Sequence, residues 1–143
     1  SLRKLQINSY NDINLIRAFP SCLEYAYIEH YTNFAHAKVT FPEVLPVGLK
    51  EMLIHHVDFS EWPVCIEASN IEQLHLSFCS NLSVAAAFPL SLKSLLLPNC
   101  NLVGMPPAIA RLPLLQSLDL CGNEIPRQDV FNAHGDRVDV TWD

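Results

Sequence analysis

The stretch that decides the fold is residues 115–125, which read Leu-Gln-Ser-Leu-Asp-Leu-Cys-Gly-Asn-Glu-Ile. Its leucines stand at the first, fourth and sixth positions, its asparagine at the ninth and its isoleucine at the eleventh. The same spacing recurs in residues 92–102, where Cys100 takes the place of the asparagine. Two such matches in tandem indicate an internal repeat, and an internal repeat determines how the whole chain is built.

Four further blocks with the same hydrophobic anchors precede these two. The blocks begin near residues 2, 23, 49, 71, 92 and 115, at intervals of 21 to 26 residues. A proline corner stands before several of them, as in Phe19-Pro20, and proline biases the residue before it toward extended structure. Through these motifs the chain resembles the leucine-rich-repeat family over residues 2–125. Residues 137–141 look like a closing strand.

The resemblance implies an α/β fold, in the form of a right-handed solenoid. A curved parallel β-sheet would form its concave face, and short helical or irregular arcs would form its convex face. Residues 1–143 are then a single leucine-rich-repeat domain, expected to be a piece of a longer protein. Helix signals predict short helical turns in residues 11–19 and 106–112. In this family the repeat asparagine bonds to loop backbone of neighbouring coils, a role that only Asn123 can fill in full.

The strand positions predict a binding surface. Alternate side chains of a strand face opposite ways, so the third, fifth and seventh positions of each repeat point away from the core. Equivalent positions of neighbouring strands then form rows across the sheet, and the eighth position lies where each strand ends. Aromatic and apolar side chains gather at these positions in repeats two to four, as in recognition hot spots. The candidate partner-binding residues are Tyr25, Tyr27, Leu53, His55, His75 and Phe78. Cross-strand packing of the sheet is the alternative explanation.

The histidines of this region also invite a metal interpretation. The side chains concerned are His30, His55, His56, His75 and Glu29. Consecutive histidines project differently and no His-x-x-x-His pair fixes a geometry, so surface histidines are favoured and no metal is expected. His36 and His134 lie outside the strands and are expected to be solvated.

Composition and charge restrict the classes of partner. The chain has 143 residues, of which 50% are hydrophobic and 17% charged, enough to bury a core. Its formal net charge is −6, and no stretch gathers lysine or arginine. We therefore expect no nucleic acid and no membrane contact within this segment, and a neutral or basic partner. No apolar run approaches the roughly 20 residues that a transmembrane helix needs.

Signatures of catalysis are missing from the sequence. It contains no phosphate-binding glycine-rich loop, no G-x-S-x-G and no H-E-x-x-H motif. His75 and Cys121 would lie two strands apart, about 10 Å, which is too far for a catalytic pair. We expect no enzyme activity and no cofactor. The five cysteines lack the spacing of a disulfide scaffold or zinc site, which leaves the compartment open.

The sequence therefore predicts a protein–protein recognition module that binds a protein or peptide partner on its concave sheet, as the sensing part of a larger receptor-like protein. Two alternatives remain. The proline corner resembles that of effector-type ubiquitin ligases, which predicts a substrate-recruiting domain of a linked enzyme. The segment could instead be an architectural spacer without a ligand. Self-association is also possible through the N-terminal edge, where Leu2, Leu5 and Ile7 begin a coil with no visible cap.

Overall fold

The computed structural model describes residues 2–31, 38–82 and 87–142. Its secondary structure is mixed, as predicted, with strands predominating and with few, short helices. In chain order the elements are β1 (Lys4–Ser9), β2 (Ile13–Asn14), β3 (Tyr25–His30), β4 (Val39–Thr40), β5 (Glu51–His55), α1 (Val64–Glu67), β6 (Gln73–Ser77), β7 (Ser94–Leu96), α2 (Pro107–Ala110), β8 (Ser117–Asp119), α3 (Arg127–His134) and β9 (Asp139–Thr141).

Seven of these strands form one parallel sheet in the order β1, β3, β5, β6, β7, β8, β9. Each strand lies beside the next strand of that sheet in the chain, so every connection returns the chain from the carboxyl end of one strand to the amino end of its neighbour. The third positions of the repeats are register partners throughout, as the anchor spacing predicts. They form the row Lys4, Tyr25, Glu51, Gln73, Ser94, Ser117 and Asp139.

The repeat anchors form the core on one side of this sheet. Strands β3 and β5 alternate half-buried and buried side chains, as the period of two in a strand requires. The first anchors Leu23, Leu49, Ile71 and Leu92 are fully buried. In β1, by contrast, Leu5 is only half-buried, and within the described residues β1 has a strand neighbour on one side only. The anchor pattern therefore defines which face of the sheet is the interior.

Proline corners lead into several of the strands. The backbone N–H of Leu23 donates to the carbonyl oxygen of Pro20 at 3.1 Å, and Leu49 bonds to Pro46 in the same way at 3.1 Å. Each corner thus closes a tight turn that ends on the first anchor of the next strand. The proline supplies the fixed φ angle, and the buried leucine holds the turn against the core.

The return segments agree with the sequence at one predicted helix and not at the other. Helix α2 lies within residues 106–112, as predicted. The helix predicted over residues 11–19 is absent, because β2 forms there and pairs in parallel with β4. The N–H of Ile13 donates to the carbonyl of Lys38 at 3.0 Å, and the Asp12 carboxylate accepts from the N–H of Lys38 at 2.9 Å. Long-range pairing here outweighs the local helix preference. The sequence did not predict α1 or α3.

Asn123 joins the last two repeats of residues 92–125, as the resemblance implies. Its Oδ1 accepts hydrogen bonds from the backbone N–H groups of Cys100 and Leu102, both at 3.0 Å. Its Nδ2 donates to the carbonyl oxygen of Leu97 at 2.7 Å. One repeat earlier, the thiol of Cys100 lies 3.0 Å from the carbonyl oxygen of Leu76. The ninth position of each of these repeats therefore bonds back to the strand before it.

Candidate binding face

The outer face of the sheet is defined here as the third, fifth and seventh positions of its strands, which project away from the core. Strands β3, β5 and β6 place the predicted residues there, because their registers align Tyr27, Leu53 and His75 in one row. Five of the six predicted residues lie half-buried on this face: Tyr25, Tyr27, Leu53, His55 and His75. Phe78 lies just beyond the end of β6 and is 47% exposed.

Three rings form a continuous line across the outer face. The ring centroid of His55 is 5.2 Å from that of Tyr27 and 5.1 Å from that of His75. His55 belongs to β5 and therefore connects a ring on β3 with a ring on β6. The hydroxyl of Tyr27 donates to the carboxylate of Glu29 at 2.9 Å, which fixes one end of the line. These contacts make the three rings one packed group.

A second aromatic contact lies where β5 and β6 end. The rings of His56 and Phe78 are nearly parallel. Both residues have left-handed backbone, with φ of 60° and 52°. Residues other than glycine, asparagine, aspartate and histidine rarely adopt this region, and it costs about 1–3 kcal/mol for a residue other than glycine. The turn thus holds an exposed phenyl group in an unfavourable backbone conformation.

Burial makes the ring line neutral near pH 7. Desolvation lowers the pKa of His55, repulsion between the protonated forms of His55 and His75 lowers it further, and the carboxylate of Glu29 opposes both effects. Desolvation also lowers the pKa of His75, and Asp119 opposes that effect. The pKa of Tyr27 is raised to about 12 by burial and by its hydrogen bond to Glu29. The three rings therefore present uncharged surfaces.

Several polar atoms of this region are buried and have no hydrogen-bond partner among residues 2–31, 38–82 and 87–142. They are Nε2 of His55, Nε2 of His75 and Oγ of Ser77. Ser77 is the register partner of His55 and is 4% exposed, so the neighbouring side chains cover its outward position. A buried unsatisfied polar group costs about 1–3 kcal/mol. The outer face therefore carries hydrogen-bonding capacity that the described residues do not use, and nothing in the sequence pattern singled out Ser77.

A depression of about 240 Å³ opens on the outer face over β5, β6 and β7. Leu53 and Leu96 contribute apolar walls on the outer face, and Glu51 also lines it. Its lining consists of Glu51, Met52, Leu53, Gln73, Leu74, His75, Ser94 and Leu96. Only two of the six predicted residues, Leu53 and His75, line it. Leu96 belonged to the apolar cluster that predicted the surface, although it was not among the candidate binding residues. Glu51, Gln73 and Ser94 were in the predicted rows, but their polarity gave no sign of a site.

A second cavity, of about 440 Å³, opens between the return segments 39–43 and 61–65. Phe41, Trp62, Glu43 and Glu61 are among its lining residues. The indole N–H of Trp62 already donates to the carbonyl oxygen of Ala87 at 2.8 Å. Because no buried polar atom among the described lining residues lacks a partner, this cavity is the weaker candidate despite its larger volume.

Two histidines, His30 and His134, are buried where the sequence predicted exposure. His30 was placed on or beside the binding face, but it is buried at 4% exposure, because β3 continues through it and the alternation turns it inward. His134 was expected to be solvated but is buried, with its Nδ1 at 3.1 Å from Nη2 of Arg137. His36 lies outside the described residues. In the part of the chain that the structure describes, no three His, Cys, Asp or Glu side chains are grouped so as to hold a metal ion.

The positions of His75 and Cys121 bear on catalysis. Strand β6 carries His75, and Cys121 follows β8, which lies two strands away in the sheet. The Cys121 thiol lies 3.0 Å from the carbonyl oxygen of Trp142 and is thus directed toward the carboxyl-terminal segment. Strand β7 therefore lies between the strand that carries His75 and the strand that Cys121 follows, as the repeat predicts.

The chain matches no protein-family model, no curated protein and no solved structure. A search of the described helices found none with the length and apolar character needed to cross a bilayer.

Proposed function

We propose that the chain is a leucine-rich-repeat domain that recognises a protein or peptide partner. In this proposal the seven-stranded sheet is the inner, concave wall of a right-handed solenoid, and the return segments form its convex side. The sequential strand order, the unbroken register and the backbone contacts of Asn123 support it. The outer face is then the concave binding surface.

The observation that carries the proposal is the ring line Tyr27, His55 and His75 with its unsatisfied nitrogens. Cross-strand packing alone would favour side chains without buried, unpaired polar atoms, because each such atom lowers stability. A partner that supplies hydrogen bonds to this region would offset that loss. Tyrosine is also among the residues that most often dominate binding energies at interfaces.

The direct test uses the double variant Tyr27→Ala/His75→Ala as bait in lysate of the source organism, beside the wild-type domain. Truncating two hot-spot residues costs about 2 kcal/mol or more each in binding, about 4 kcal/mol together, so affinity for the specific partner should fall roughly 700-fold or more. A matched control is Val44→Ala/Val47→Ala, which truncates two side chains that are each 76% exposed on a return segment. This control should capture the same proteins as wild type.

Circular dichroism of all three baits checks that each is folded. Equal capture by wild type and the outer-face variant, with matching spectra, would move binding away from this face. If instead the Val44/Val47 variant alone lost the partner, the binding surface would lie on the return segments. Capture of no specific protein by any bait would favour the spacer alternative.

A further inference from the structure

We infer that the outer face receives a basic side chain, lysine or arginine, of its partner in the depression over β5, β6 and β7. This inference rests on the proposed function and adds the chemistry of the group that is recognised. Three features of the described residues support it: the charges of the face, the shape and walls of the depression, and the state of the polar atoms around it.

Negative charges predominate on the outer face. The outward positions of the described strands carry four carboxylates, those of Glu29, Glu51, Asp119 and Asp139, against the single amine of Lys4. The Lys4 Nζ lies 5.8 Å from the ring centroid of Tyr25, toward the amino-terminal edge of the sheet and away from the depression. A cationic partner is therefore attracted and an acidic partner is repelled.

Glu51 is the carboxylate best placed to meet that cation. It lines the depression directly. Glu29 already accepts the hydroxyl of Tyr27, and Asp119 accepts the backbone N–H of Cys121 at 2.9 Å. The Glu51 carboxylate has no ion-pair or side-chain hydrogen-bond partner among the described residues. Its full hydrogen-bonding capacity thus remains available to a ligand.

The depression has the size and walls for one long side chain. Its volume of about 240 Å³ lies below the roughly 300–1,000 Å³ of typical small-molecule sites. Leu53 and Leu96 offer apolar contact to the methylene groups that lysine and arginine bury while the charged end stays at a polar rim.

The neutral protonation state of His75 also suits a ligand group that can only donate hydrogen bonds. A neutral imidazole accepts a hydrogen bond at its unprotonated nitrogen, whereas ammonium and guanidinium groups only donate. His75 lines the depression, and its Nε2 has no hydrogen-bond partner among the described residues, so it can accept in the tautomer that carries the proton on Nδ1. That atom is buried, so a rotation of the ring would have to accompany the contact. Because His75 is uncharged near pH 7, it does not repel a cation there.

The test selects peptides from a random library displayed on phage, using the folded chain as target. The wild-type domain should enrich peptides that contain lysine or arginine, and Glu51→Gln should abolish that enrichment while preserving the shape of the side chain. The matched control is Glu67→Gln, which neutralises an exposed glutamate on α1. It should select the same basic peptides as wild type.

One selected peptide is then synthesised with its basic residue intact and with glutamine in its place. Loss of a charge-assisted contact is worth about 1.5–3 kcal/mol, so affinity for the wild-type domain should fall about tenfold or more. The affinity of the intact peptide should also decrease with increasing salt, because the outer face is partly exposed. Calorimetry or fluorescence anisotropy gives both quantities.

The outcomes separate this inference from the function on which it rests. Enriched peptides that lack lysine and arginine but need Tyr27 would overturn the basic-group inference and leave recognition by the outer face standing. Basic peptides that bind wild type and Glu51→Gln equally would overturn the assignment to this depression. If no enriched peptide depends on Tyr27 or His75, the inference and the proposed peptide recognition both fail.

Discussion

The imidazole ring of His56 stacks on the phenyl ring of Phe78, with 4.9 Å between centroids and 11° between ring planes. The two residues occupy the same position of consecutive repeats, and the next two repeats place Asn99 and Gly122 there. All four have left-handed backbone. Glycine, asparagine and histidine adopt that conformation more readily than phenylalanine does. The unfavourable residue, Phe78, therefore occurs in a repeat that contributes to the ring line.

Phe78→Asn tests whether this aromatic residue serves binding rather than folding. Asparagine relieves strain at φ 52°, while the lost ring contact is worth about 0.5–1.5 kcal/mol. We therefore expect the free energy of unfolding to stay within about 1 kcal/mol of wild type and partner affinity to fall. Urea unfolding and a binding titration measure the two effects. Unchanged affinity in a folded variant would remove Phe78 from the binding surface.

Asn123→Ala should destabilise the chain by about 2–4 kcal/mol, because the backbone N–H groups of Cys100 and Leu102 would lose their acceptor. The comparison variant is Asn123→Cys, which resembles the cysteines of the two preceding repeats. A thiol can still reach the carbonyl oxygen of Leu97, so this variant should lose less stability than alanine. Urea unfolding ranks the three proteins. Equal stability of Asn123→Ala and wild type would contradict the role assigned to this side chain.

Stability should fall as the pH decreases below the ordinary histidine range. Burial lowers the pKa of His55, His75 and His134 in the folded chain from a value of 6.5. Between the folded and unfolded pKa values the unfolded chain binds more protons, so the free energy of unfolding decreases as the pH falls through this window. Above about pH 6.5 these groups no longer make the free energy of unfolding depend on pH. Urea unfolding between about pH 8 and pH 5 measures the dependence.

Two variants divide that pH dependence between regions. His55→Gln/His75→Gln should remove the part that belongs to the outer face, and His134→Gln should remove the part near Arg137. Both variants should show a flatter pH profile than wild type. A wild-type profile that is level across this window, or one that rises toward acid, would contradict the lowered pKa values.

The amino-terminal edge of the sheet should promote self-association. In the described chain β1 pairs on one side only, and Leu2 beside it is 52% exposed. An open strand edge with apolar side chains is a template for pairing with another copy. We expect light scattering after size exclusion to show a mass that increases with concentration, and Leu2→Lys to reduce that increase. A constant monomer mass over the whole series would contradict the expectation.

Much of the sheet could be predicted from the repeat because its anchors determine both the strand positions and the register. Once the fourth and sixth positions are buried, a one-residue shift would turn every side chain to the wrong face. Tyr27, Leu53 and His75 therefore align as the spacing predicts. The ring contacts of His55 and the burial of Ser77 could not be derived in this way, because they depend on side-chain orientation and not on register.

The return segments were less predictable because distant residues determine their structure. Ile13 begins a stretch with local helix signals, but it pairs with Val39, and such a contact leaves no mark in the local pattern. His30 was misplaced because β3 extends one residue further than β5 and β6. The eighth repeat position therefore lies inside β3, whereas it lies beyond the ends of β5 and β6. His134 was misplaced because the helix that carries it, α3, was not predicted.

The strand order determines how local unfolding spreads through the sheet. Each strand of the main sheet pairs with the strands before and after it there, so cooperativity passes from neighbour to neighbour. The outermost strands are held on one side only within the described residues and should open first, while the middle strands exchange their amide hydrogens most slowly. Tyr27, His55 and His75 lie inward of the β1 edge. A partner bound to them would therefore contact a region that remains assembled while β1 frays.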